Sequence, residues 1–180
     1  MKQALIVIDI QNDYFDGGKM ALYHAKEMLK QSNQLITYAH EHDYPIYIIQ
    51  HVGSEKSSFF VPETEGVKLH PKLNISNSAS VIQKHYPNSF RETTLHQELE
   101  QEGVNELIVC GAMTHMCIDT TVRAGFDLGY SITLISDACA TKDIVFEKYK
   151  VAAMEVQASY LGALKDVFCK VCKTADILEN

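Results

Sequence analysis

No lysine- or arginine-rich run that could track a phosphate backbone occurs in the 180 residues, and 16 basic against 23 acidic side chains leave a net charge of -7. Nucleic acid is therefore not an expected partner. Long apolar runs are also missing. The run from Ala4 to Ile8 ends at Asp9, whereas a secretory h-region needs about 7 to 15 apolar residues and a spanning helix about 20. These absences predict a cytoplasmic protein without membrane contact. Cysteine is sparse and odd in number, at Cys110, Cys117, Cys139, Cys169 and Cys172, which is no disulfide framework for a chain of this size. Reduced thiols are expected, one of which can be reactive. There is no G-x-G-x-x-G after a strand, no P-loop and no H-E-x-x-H, so dinucleotide, ATP and zincin chemistry lose their main support. Internal repeats, low-complexity tracts and linker-like composition shifts are absent as well.

What is present describes one globular domain over residues 1–180. A composition of 46% hydrophobic and 22% charged residues excludes disorder, a collagen-like repeat and a coiled coil. The apolar segments are short, continuous and β-rich, and most alternate with stretches of helical periodicity, the pattern of a parallel sheet buried on both faces. The reading is α/β, with strands at 4–9, 45–50, 80–84, 105–110, 130–136 and 166–171 and helices at 24–42, 90–102, 115–128 and 146–164. Gly103 and Gly129 sit just past predicted helices, where a left-handed C-cap favours glycine. Residues 51–79 lack a clear period and are rich in Ser, Asn, Pro and Glu, and are read as a wall or lid over a site.

In an open parallel sheet the ligand crevice lies beyond the carboxyl ends of the strands. Three residues there draw attention. Asp9 ends an apolar strand, where a half-buried carboxylate is costly unless paired or used; a turn cap is the ordinary alternative. Lys84 ends the third strand, and most such lysines simply reach water. Cys117 lies between a predicted strand and a predicted helix, with Thr114 as the expected N-cap, so that the helix terminus would favour a thiolate; buried core is its ordinary alternative. Together they form a compatible set of base, cation and thiol nucleophile. His115 is a poor rival base because residues two apart on a helix do not face each other. The Cys169–Cys172 pair has C-x-x-C spacing but no second ligand pair and no helix-opening context. Within a strand its members would point to opposite faces.

At this point the sequence resembles the isochorismatase-like cysteine hydrolases, a family that includes the nicotinamidases. The resemblance runs through Asp9, Ile10, Gln11, Asn12, Asp13 and Tyr14, then Lys84 with Asn88, Ser89 and Phe90, then Gly111 to Cys117, then Asp137 to Ala140. It implies a three-layer αβα sandwich with a six-stranded, mostly parallel sheet and a catalytic triad of Asp9, Lys84 and Cys117. It also implies a cis peptide between Ala112 and Met113, an oxyanion hole from the N–H groups of Met113 and Cys117, and substrate contacts at Tyr14, Phe90 and His51. The implied activity is hydrolysis of a small-molecule C–N amide, carbamoyl or lactam bond through a thioester.

The chain departs from the nicotinamidase pattern at the metal motif, where Asp-x-His is replaced by Ile49, Gln50 and His51. His51 and His70 alone make a weak metal site, so neither metal nor other cofactor is expected. A homo-oligomer, dimer or tetramer, is expected by resemblance, with Tyr160, Leu161 and Phe168 as possible interface residues. Two other readings stay open: an isochorismatase-type enol ether hydrolase, which needs the Asp but not the thiol, and a domain of this fold that binds a small ligand without turnover.

Overall fold

The computed structural model describes residues 2–75 and 78–179. Its centre is a parallel sheet of β1 (Gln3–Ile8), β2 (Ile46–His51), β3 (Ser80–Lys84), β4 (Glu106–Ala112), β5 (Ser131–Ala140) and β8 (Lys170–Cys172), in the order β3-β2-β1-β4-β5-β8. Helices α1 (Ala25–Glu41) and α5 (Thr174–Leu178) belong to one side, and α2 (Leu95–Gln101), α3 (Asp119–Asp127) and α4 (Ala153–Leu164) to the other. This is the expected α/β sandwich.

Residues Ala4 to Ile8 of β1 have no exposed surface, because alternate side chains enter the two separate cores. In α1 the buried positions Met28, Leu29, Ser32, Leu35, Ile36 and Ala39 recur at three- and four-residue spacing and place one stripe on the sheet. The strand order reverses direction between β1 and β4, which opens a crevice at their carboxyl ends. There Gly111 has a φ of 119°, and a Cβ on it would lie 2.0 Å from the Ile8 carbonyl oxygen, so only glycine lets β4 approach β1 beside Asp9. Among the described residues, no helix is long and apolar enough to cross a membrane.

Several elements differ from the sequence reading. Residues 146–164 do not form one helix: a hairpin of β6 (Ile144–Phe146) and β7 (Tyr149–Val151) precedes α4. Its β-branched and aromatic residues favour strands, and Glu147 takes a left-handed φ of 52° at the turn. The helix expected at 90–102 begins only at Leu95. Side-chain bonds hold the preceding chain in turns, with Asn88 Oδ1 accepting from the Phe90 N–H and the Thr93 hydroxyl donating to the Ser89 carbonyl. The last strand is short because Asp166 is left-handed, at a φ of 72°. β5 runs four residues beyond its expected end and slips register against β4 between Val109 and Gly111.

The excursion at 52–75 is strapped to the turn after β1. Gln11 donates through Nε2 to the His51 and Val67 carbonyls and accepts the His51 N–H at Oε1; Asn12 donates to the Glu65 carbonyl. Asp13 accepts the Phe60 N–H at 2.7 Å, and Gly66 passes so close to its carboxylate that a Cβ would collide with it. Three consecutive polar side chains thus bring Phe60 over the crevice. Residues 76 and 77 of the expected wall lie outside the described residues.

Candidate active site

Asp9 follows β1 in the left-handed region at a φ of 54°, a conformation that Asp tolerates better than most side chains. Asp9 and Lys84 have no exposed surface, and Cys117 is 5% exposed. Lys84 Nζ donates to Asp9 Oδ2 at 2.8 Å and to His51 Nδ1 at 3.0 Å, and the Cys117 sulfur lies beside it. Burial by itself would lower the ammonium pKa. The charge of Asp9, the Cys117 sulfur and hydrogen bonds to both outweigh burial, and the net shift is upward. Lys84 is therefore a permanent cation. The second carboxylate oxygen, Asp9 Oδ1, is buried without a partner of regular hydrogen-bond geometry. The Cys117 thiol interacts with Asp9, whose carboxylate helps to hold its proton.

Cys117 belongs to a π-helical turn, Thr114–Ile118, that precedes α3. Such wide turns interrupt helices most often at functional sites. Thr114 does not cap this turn as expected. Its hydroxyl donates to Gln157 Oε1 at 2.6 Å, tying the turn to α4, and Met113 occupies the cap position. Burial raises the Cys117 pKa, Asp9 raises it further and Lys84 lowers it, with the thiol pushed up to about 12. Burial and the Asp9 charge thus oppose the thiolate expected from a helix terminus, and Lys84 favours it. Full burial outweighs the terminal dipole, whose influence is at most about 2 kcal/mol. The Ala112–Met113 peptide is cis, at the junction of β4 and this turn.

Aromatic side chains enclose the group. Tyr14, 1% exposed, lies with its ring centroid 4.6 Å from Phe60 and 5.9 Å from Phe59, and Phe60 is 6.0 Å from His51. Burial, followed by the charges of Cys117, Asp9 and Asp13, raises the Tyr14 phenol well above its ordinary value, which keeps it neutral next to the thiol. Sequence reasoning missed Phe59 and Phe60. Their only signal was an aromatic pair in an otherwise polar loop.

Phe90 packs against the second core. Its ring stacks on Tyr130 at 5.9 Å and 9° and contacts Gly125 of α3, because the bond to Asn88 turns the chain that way. The His70 ring lies 4.0 Å from the Phe15 ring, and its backbone N–H donates to the Ile10 carbonyl at 2.9 Å. Tyr160 packs edge-on to His115, Leu161 joins the second core and Phe168 meets Phe126 and Arg123, so the suggested interface residues are engaged within the chain. Cys169 packs in the second core and Cys172 against the first, on opposite faces.

Asp9, His51 and Cys117 bring ligand-type O, N and S atoms within 4.8 Å of one another, a donor set that suits zinc. The residues present nevertheless do not fit a metal. The Lys84 ammonium already donates to Asp9 and His51 and lies beside the Cys117 sulfur, and a second cation there would meet its charge at contact distance. Ile49, at the position of the absent metal carboxylate, is fully buried core.

Burial, then the Lys84 charge, lower the His51 pKa from 6.5 to about 4, with Asp9 opposing and His85 contributing in the same direction as Lys84. Between those pH values the unfolded chain binds a proton that the folded chain does not. Stability present above pH 6.5 is therefore lost as the pH falls to 4, on the order of 2 kcal/mol after allowance for partial exposure. Urea denaturation at pH 7 and pH 4.5 checks this: His51→Asn should lose less stability on acidification than the parent, and equal losses would refute it.

The isochorismatase domain model matches residues 3–176. An isochorismatase family protein of Bacillus subtilis strain 168, YddQ, is 41% identical over 99% of this chain and 100% of its own length. A streptothricin hydrolase of Streptomyces noursei is 32% identical over 79% of this chain and 51% of its own. The crystal structure of an isochorismatase from Pseudomonas putida KT2440 superposes with a TM-score of 0.91 at 33% identity, covering 97% of this chain and 89% of that one. With nearly the whole sheet and its flanking helices matched, the chain belongs to the isochorismatase family.

Proposed function

We propose that this isochorismatase-family hydrolase is a cysteine-dependent amidase that cleaves a small-molecule C–N bond through a thioester on Cys117. One observation carries the reading: Asp9 holds Lys84 through Oδ2 while Oδ1 has no regular partner and the thiol of Cys117 lies beside the carboxylate.

In the first half-reaction Cys117 Sγ attacks the amide carbonyl carbon as its proton passes to Asp9 Oδ1. Thiol pKa and burial favour this coupled transfer over a preformed thiolate. The N–H groups of Met113 and Cys117 serve as oxyanion donors, each worth about 3 to 4 kcal/mol. Collapse breaks the C–N bond, Asp9 returns the proton to the leaving amine, and the acyl group stays on sulfur. Water then attacks the thioester, giving its proton to Asp9, and the sulfur leaves and is reprotonated. The sum is amide plus water to carboxylic acid plus amine. Lys84 keeps Asp9 ionised between steps. Tyr14, Phe60 and His51 supply a flat wall for the acyl group.

The test is a panel of primary amides, carbamoyl compounds and lactams, with the acyl-enzyme trapped and weighed by intact mass spectrometry. A hydroxylamine-labile adduct on Cys117 is expected, and Cys117→Ala should lower turnover by about 10⁴-fold or more. Retained hydrolysis in that variant, with an enol ether substrate, would instead assign the chemistry to Asp9 acting alone as an acid.

A further inference from the structure

We propose that His51 is a positioning residue: a neutral imidazole protonated on Nε2, whose Nδ1 accepts an N–H of Lys84 and so fixes the ammonium between Asp9 and Cys117. The inference rests on the proposed role of Cys117 as nucleophile and adds a residue to that machinery.

An ammonium group has three donors and no acceptor. Asp9 Oδ2 takes one of them, the Cys117 sulfur lies beside the group, and Lys84 has no exposed surface through which water could satisfy the rest. His51 Nδ1, 3.0 Å away, supplies the missing acceptor. A buried ammonium donor left without an acceptor is destabilised, so without His51 the ammonium would tilt or leave. Because Lys84 can only donate, Nδ1 must carry the lone pair, and the tautomer is set by the partner.

The imidazole is held in place from behind. Gln11, itself fully buried, accepts the His51 N–H at 2.8 Å and donates to the His51 carbonyl at 2.8 Å, and β2 pairs His51 with Lys84 in register. Gln11 therefore clamps His51, His51 orients Lys84, and Lys84 orients the base and the nucleophile. Facing His51 are Lys84, Asp9, Cys117 and His85, whose Nδ1 lies 2.8 Å from the Val52 carbonyl.

Two measurements on the full chain test this. Long-range ¹H–¹⁵N NMR of the histidines should find His51 protonated on Nε2 and bare on Nδ1 at neutral pH; a proton on Nδ1 would overturn the proposal. The second follows Cys117 alkylation by iodoacetamide against pH, by peptide mass spectrometry, in the parent and in His51→Leu, His51→Gln and His51→Asn. Asn places an oxygen near the site of Nδ1, Gln places it near Nε2, and Leu has none. Leu and Gln should slow alkylation about tenfold, the effect of one pKa unit of lost thiolate stabilisation, and Asn should restore most of the rate. Equal profiles in all four proteins would sink the positioning role while leaving Cys117 as nucleophile. If Asp9→Asn and Lys84→Met also leave the parent profile unchanged, the amidase reading itself fails, and the NMR tautomer still decides the hydrogen bond.

Discussion

Asp9→Asn should abolish amide turnover and at the same time make Cys117 easier to alkylate at neutral pH. The two effects come from one charge. In the parent, burial is the largest influence raising the thiol pKa and the Asp9 carboxylate adds to it, while Lys84 acts the other way. Removing the negative charge leaves the Lys84 ammonium with the sulfur as its anionic partner. The thiol pKa then falls toward a Cys117–Lys84 ion pair. Asn tolerates the left-handed φ of 54° at this position, so the turn is retained. Alkylation at pH 7 should rise by about tenfold or more, corresponding to at least one pKa unit. Turnover should fall by about 10² to 10⁴, the range of general acid–base catalysis, because the amide cannot protonate the leaving amine. A variant in which both rates fall together would mean that Asp9 does not oppose thiolate formation.

Lys84→Met should lower the melting temperature by about 10 °C. Breaking a buried ion pair from one side costs about 3 to 5 kcal/mol, and for a chain of this length each kcal/mol is worth about 2 to 4 °C. Lys84 and Asp9 are both without exposed surface and 2.8 Å apart, so the abandoned carboxylate has no water to turn to. It must take up a proton, and the deficit should shrink as the pH is lowered. The double variant Asp9→Asn/Lys84→Met removes the uncompensated charge and should recover at least half of the loss, giving a coupling that differential scanning calorimetry can read. A single variant melting within about 2 °C of the parent would show that the pair contributes nothing to the fold.

Much of this architecture is legible in the chain itself. The continuous apolar runs of β1, β2 and β4, separated by helical periods, require a sheet buried on both faces, and strand ends are where a polar residue in such a run becomes conspicuous. Asp9 and Lys84 stand out for that reason, and Cys117 by its place between a strand and a helix. Local pattern failed where local preferences were close to balance, as at 144–151. There β-branched and aromatic residues form a hairpin although their spacing also suits a helix. It failed again at 90–94, where side-chain bonds to the backbone replaced helical ones.

Sequence alone determined the parallel α/β class and three candidate residues at or just beyond strand ends, because periodicity and burial are properties of neighbouring residues. Tertiary structure alone decided what those residues are. It placed Lys84, 75 positions from Asp9, on the Asp9 carboxylate. It also turned His51 from an apparent remnant of a metal motif into an acceptor for the Lys84 ammonium. Proton affinity was likewise beyond the sequence: a cysteine near a helix start reads as a thiolate, whereas burial against a carboxylate raises its pKa. The physical reason is the same in each case. Charge and proton affinity depend on distances of about 3 Å between groups far apart in the chain, and on whether water can reach them.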